Sequence, residues 1–232
     1  MKTSNIIITA FAILIVGAVF FLFADSKTHK EEENNKISYK EYVLPSFKVI
    51  VAEEASDIHV DRSDSNLMRV EYVKGIKTPR KLYEVTHDTL HAYCGLRMFI
   101  KCKQISQIVG KKHLWINVSN FEPDSLMVKV TRGRFVYNSD QDKRYTINKK
   151  YYNISIIAND SAHVDLDNSK FGNLTIKSNN AFVNNYCETN RLSAVLTNFS
   201  RFYSKDKNGY IAIEKDTNSN VFIDDNNYAA NR

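Results

Sequence analysis

A degenerate repeat in the second half of this 232-residue chain limits its fold more than any other feature. Segments align on an apolar residue at Leu126, Ile154, Leu174, Leu192 and Ile211, and the last three intervals are 20, 18 and 19 residues. Two residues beyond each anchor lie Val128, Ile156, Ile176, Ala194 and Ile213. Ten residues beyond lie Val136, Val164, Asn184, Phe202 and Val221; the polar exception has Val183 one place earlier. Between the two apolar arms sits a polar corner, such as Asn159-Asp160-Ser161, Ser178-Asn179-Asn180, Thr197-Asn198 or Asp216-Thr217-Asn218. A unit of this size with two short strands cannot bury its apolar row alone, so it stacks on its neighbours as a parallel β-solenoid (β-helix). Asn and Asp suit the corners because they tolerate left-handed backbone and can ladder with the next unit. The alternative architecture is an antiparallel sandwich in Asn-rich sequence. The interval from 126 to 154 is 28 residues, so that unit carries an insertion, which must loop out of a regular stack.

Upstream, short alternating runs read as strands: Phe47 to Val51, Asp57 to Val60, Leu67 to Val73, Leu82 to Val85 and Thr89 to Tyr93. The expected organisation is a mainly β protein. It has an N-terminal transmembrane helix (1–24), a polar tether (25–42), a β-rich capping region (43–113), the repeats (114–225) and a C-terminal tail (226–232).

The transmembrane expectation rests on Ile6 to Phe23, which carry no charge. Eighteen helical residues make a rod of about 27 Å, close to the hydrocarbon thickness of a bilayer. A cleaved signal is the alternative, but its apolar region runs about 7–15 residues and a small-x-small site follows it. Here the exit reads Leu22-Phe23-Ala24-Asp25, and no Cys near it opens a lipoprotein route. Lys27 and Lys30 beyond the segment weaken the positive-inside bias. The short N-terminal flank and long polar remainder favour a single-pass protein with a cytoplasmic N-terminus. Its C-terminal domain is then extracytoplasmic, with the inner membrane and periplasm the default place.

Catalytic signatures are few. Cys94, Cys102 and Cys187 are too few for a disulfide framework; Cys94 and Cys102 either pair across a hairpin or stay as thiols. His87 and His91 stand four apart but flank a strand-like run without the HExxH context of a zinc site. No P-loop, GxSxG or GxGxxG occurs, so neither a catalytic residue nor a metal or cofactor is expected. The outward candidates Asp165, Asp167, Lys177 and Glu188 show no stacked register that would build the active site of a β-helical polysaccharide enzyme.

Charge is uneven. Residues 97–150 carry twelve Lys or Arg against four Asp or Glu, which exceeds the whole chain's net charge of +6. The insertion supplies the candidate ligand-binding set Lys143, Arg144, Tyr145, Lys149, Lys150, Tyr151 and Tyr152. Such a set suits an anionic polysaccharide, lipid head groups or an acidic envelope protein. Aromatic interleaving also occurs in nucleic-acid binders, but an envelope location argues against nucleic acid. After Ile223 little chain remains to cover the last repeat, so that end is blunted by Tyr228 or meets a partner or second copy.

Several of these segments resemble a known family. Leu44-Pro45-Ser46-Phe47-Lys48-Val49 and Asp57-Ile58-His59-Val60 are similar to the opening of the head GIN domain family of bacterial autotransporter adhesins. So are Leu114-Trp115-Ile116-Asn117-Val118, Ile154-Ser155-Ile156 and Ala162-His163-Val164-Asp165-Leu166. The resemblance spans roughly residues 43–225. It implies a β-solenoid envelope protein whose biochemical role is unestablished, and it brings no catalytic residues. The family's corners typically carry Gly-Ser, whereas these read Asn-Asp-Ser-Ala, Asn-Asn-Ala and Asn-Phe-Ser. The expected function is a non-catalytic binding, adhesin-like or scaffold module of the cell envelope; the alternative is an envelope carbohydrate-active enzyme.

Overall fold

A computed structural model describes residues 13–23, 37–54, 57–73, 81–93, 95–121, 123–138, 152–205 and 208–224. The chain divides into two units, 1–39 with 71–77, and 40–70 with 78–232. In the first, residues 13–23 form a helix whose side chains are all exposed. Among the described residues no helix is long and apolar enough to cross a membrane. Residues 6–12 of the expected span lie outside them. So do residues 25–36 of the tether and the tail 226–232.

Strands make up most of what is described. In chain order they are β1 (Ile37–Val43), β2 (Val49–Ala52), β3 (Asp57–Arg62), β4 (Leu67–Val73), β5 (Tyr83–Thr86) and β6 (Thr89–Ala92). Next come β7 (Arg97–Cys102), β8 (Gln107–Gly110), β9 (Leu114–Ser119), β10 (Ser125–Thr131), β11 (Gly133–Asn138) and β12 (Tyr152–Asn159). The chain ends with β13 (His163–Asn179), β14 (Phe182–Thr197), β15 (Arg201–Ser204), β16 (Asn208–Lys215) and β17 (Asn220–Ile223). The last residues assigned to the tether therefore begin a strand; the alternation in Ile37-Ser38-Tyr39-Lys40-Glu41-Tyr42-Val43 favours extended chain.

In the second unit the strands pair in parallel in two columns. One runs β6, β2, β8, β10, β12, the second half of β13, the second half of β14, then β16. The other runs β7, β3, β9, β11, the first half of β13, the first half of β14, β15, then β17. The register joins Leu126, Ile154, Leu174, Leu192 and Ile211 in one line, as the repeat predicts. In the other column the line is Phe135, Val164, Val183, Phe202 and Val221. Phe135, not Val136, therefore belongs to the inward row, because that level turns its corner one residue sooner. Gly133 makes the short turn possible. It pairs with Leu114 at φ +132°, and a Cβ there would lie 2.4 Å from the Leu114 carbonyl oxygen.

The longer corners take the left-handed backbone expected of Asn and Asp, with positive φ at Asp160, Asn180 and Asn198. Asn amides also link adjacent levels: Asn173 donates to Asn153 at 2.7 Å and Asn198 to Asn179 at 2.8 Å.

Inward rows form the core. Leu90, Ile50, Ile108, Val128, Ile156 and Ile176 line one column, with Met98, Ile58, Ile116, Phe135, Val164 and Phe202 in the other, all buried. Burying each such side chain is worth about 1.5–3 kcal/mol. Several buried positions are polar; among them, Asn185 donates to Ser204 Oγ at 3.1 Å and accepts from the Cys187 N–H at 3.2 Å. Cys102 is a buried free thiol and Cys187 is buried as well, while Cys94 lies outside the described residues.

The region 43–113 joins the same stack. Residues 49–62 and 89–102 each supply a complete level, and β8 begins a third. Their spatial order is not their chain order, since β2 and β3 lie between the levels formed by β6–β7 and β8–β9. At the outer edge β4 runs antiparallel to β7, and β5 antiparallel to β6. Reversed strands halt parallel stacking there and cover the edge.

Candidate functional site

Strand alternation decides what the second column presents to solvent. With Ile58, Ile116, Phe135, Val164, Val183 and Phe202 pointing in, the line Asp57, Trp115, Arg134, His163, Phe182 and Arg201 points out. Adjacent levels lie about 4.8 Å apart, so each side chain reaches the next. The Arg134 guanidinium lies 5.3 Å from the Trp115 ring centre and that of Arg201 lies 5.0 Å from Phe182. His163 stacks on Phe182 with ring centres 5.8 Å apart. At the capped end Arg97 Nε donates to Asp57 at 2.6 Å.

Asp165 is the focus of this face. Arg134 donates to its Oδ2 from Nε at 2.9 Å and from Nη2 at 2.7 Å. Asn184 donates to its Oδ1 at 2.8 Å, and His163 Nε2 lies 3.0 Å from the same oxygen. Burial by itself raises this carboxyl's pKa. The hydrogen bonds from Asn184 and Arg134, with the charges of His163 and Arg134, outweigh burial and hold it below the ordinary Asp range. Asp167, two residues on, is pushed up by burial and by the charge of Asp165.

The register sets Asn184 opposite Asp165, Tyr186 opposite Asp167, Val195 opposite Lys177 and Lys170 opposite Glu188. The four outward candidates therefore do not stack on one another, but two of them are bridged across levels. Asp165 takes partners from β11 and β14, and Glu188 accepts from Lys170 on the neighbouring level. Placing Val136 on the inward row hid the first contact, because a slip of one residue exchanges the faces of a strand.

Chemically the Asp165 cluster is a cross-level staple. Both carboxylate oxygens are engaged and the side chain is 9 % exposed, so it is poorly disposed to exchange protons with a substrate. His91 is held by Glu53 at 3.1 Å. Among the described residues no group of three or more His, Cys, Asp or Glu is placed to hold a metal.

Of the residues expected to bind a ligand, Lys143, Arg144, Tyr145, Lys149, Lys150 and Tyr151 lie outside the described residues. Tyr152 opens β12 opposite Phe171 and is 3 % exposed, so its ring packs inside and presents no face to a ligand.

The pairing pattern defines a class, a mainly β protein built from stacked parallel strands. No family model matches the chain, and no curated protein matches it. Its fold is similar to that of a crystal structure named "putative adhesin" from Parabacteroides distasonis, with a TM-score of 0.55 and 9 % identity. That match covers 81 % of this chain and 96 % of the other. A structure of the same name from Bacteroides fragilis aligns at a TM-score of 0.47 and 12 % identity, covering 81 % of this chain and 96 % of its own. At such identity the likeness is one of fold.

Proposed function

We propose that this chain is a short parallel β-solenoid serving as a non-catalytic, adhesin-like binding module of the cell envelope, tethered to the inner membrane by its apolar N-terminal segment. The observation that carries the solenoid reading is the unbroken parallel pairing of both columns from β6–β7 to β16–β17. The adhesin-like role draws on the name of the Parabacteroides neighbour. An envelope carbohydrate-active enzyme is the competing reading, and Asp165 and Asp167, pushed in opposite directions, resemble an acid–base pair. Against it, Asp165 already has partners on both oxygens.

Protease accessibility of a C-terminal tag tests the placement, in intact cells, spheroplasts and lysed membranes, for the full chain and for one lacking residues 1–24. Cleavage that begins once the outer barrier is opened, with membrane retention lost on removing residues 1–24, is the expected result. Protection in spheroplasts until lysis would overturn the orientation and the envelope role with it.

A further inference from the structure

The non-sequential level order leaves one corner irregular. At the level formed by β2 and β3 the chain enters at Lys48 and leaves at Arg62, so no segment of its own closes that corner. The connection 103–106 crosses the gap instead, carrying the chain from β7 past β2 to β8. The Ser106 and Gln107 N–H groups both donate to the Lys48 carbonyl, at 2.8 and 3.3 Å. Between this crossover and the next corner, at Phe121 to Ser125, lies a recess of about 350 Å³. Ile105 and Phe121, each 3 % exposed, back it.

Three cations from separate segments border the recess, Lys48, Arg62 and Lys103, against Asp124 as the described carboxylate. Lys48 and Lys103 are exposed and have no ion-pair partner among the described residues. The two lysine ammonium groups at the mouth of the recess favour an anion there. A second recess of about 320 Å³ shares Ser106 and Ser125 with the first and continues along the same edge past Asn153, Asn173 and Thr175. Its polar lining is hydroxyl and amide, beside the exposed apolar side chain of Met127. From Lys48 to Asn173 the groove crosses four level steps, about 19 Å. The basic insertion leaves from Asn138 and returns at Tyr152 on this same edge.

We propose that this edge groove binds an acidic polysaccharide, its carboxylate or phosphate group seated at Lys48 and Lys103 and its neutral sugars along the Ser and Asn trough. A cationic end followed by an uncharged run matches an oligosaccharide whose acidic sugar is followed by neutral ones. The inference deepens the binding-module reading and rests on it.

The test titrates the detergent-solubilised full chain with sized oligosaccharides in which a uronic acid adjoins a neutral N-acetylhexosamine, with inorganic phosphate, and with vesicles containing an anionic lipid. Saturable oligosaccharide binding that weakens as salt rises is expected, with Lys48→Ala and Lys103→Ala each lowering affinity roughly tenfold. Asn173→Ala is expected to weaken it less, and Lys129→Ala, outside the groove, to leave it unchanged. Binding that survives the Lys48→Ala/Lys103→Ala double variant would overturn the site. Binding of phosphate alone, or of vesicles alone, would overturn the ligand class. The double variant keeps the tag-accessibility pattern of the wild type, so failure here is distinct from failure of the envelope role.

Discussion

Ile58 lies directly opposite Ile116 in a parallel pair, although the strand that carries Met98 comes between them in the chain. Met98 flanks Ile58 on its other side. The level holding Ile58 is therefore an interior slab, and its loss opens two interfaces at once.

Ile58→Ala is accordingly expected to lower stability by about 2–5 kcal/mol, the range for truncating a fully buried Ile. Ile213, on the last level and only partly buried, should cost less when truncated. Urea midpoints of the two variants check this; equal shifts would mean that Ile58 is not interior.

Gly133→Ala tests the short corner. The new Cβ would meet Leu114 backbone atoms at 2.4 and 2.5 Å, on a φ of +132° that L-residues rarely adopt. A loss of about 1–3 kcal/mol is expected from backbone strain, before any displacement of β9. Gly17→Ala, with nothing within 4 Å of the new Cβ, is the matched control and should leave the thermal melt of the strand-rich unit unchanged.

Asp165 and Asp167 should respond to acid in opposite senses. The folded pKa of Asp165 lies below its unfolded value of about 3.9, so its contribution is present above that pH and is lost as pH falls through the folded value. For Asp167 the folded pKa is raised, so its charged form weakens the fold at neutral pH and the penalty fades on acidification. Asp165→Asn should lower Tm at pH 7 by more than at pH 3. Asp167→Asn should raise Tm at pH 7, with the gain shrinking at low pH. Parallel Tm profiles for both variants would contradict the assignment of the two environments.

Cys102 should be chemically silent while the protein is folded. Burial, then the charge of Asp61, pushes its thiol up to about 12, and the thiolate is the reactive species. Alkylation at pH 8 followed by peptide mass spectrometry should find Cys102 and Cys187 unlabelled in the native protein and labelled in denaturant. Rapid native labelling of Cys102 would show that its level opens readily.

The sequence alone determined the unit length, the inward row from Leu126 to Ile211 and the corner chemistry. Each is local, arising from alternation with period two, a spacing near 20 residues, and Asn or Asp where the backbone turns left-handed. Only the tertiary structure decided that residues 49–62 lie between 89–102 and 107–119. Strands with similar apolar alternation pair equally well in several orders until the whole stack selects one. The outward clusters were hidden for the same reason. Asp165 meets Arg134 and Asn184 across 31 and 19 residues, contacts that depend on a register one residue finer than an apolar pattern records. Lys48, Arg62 and Lys103 gather at one corner because the chain crosses over there, and hydrophobic periodicity carries no trace of a crossover.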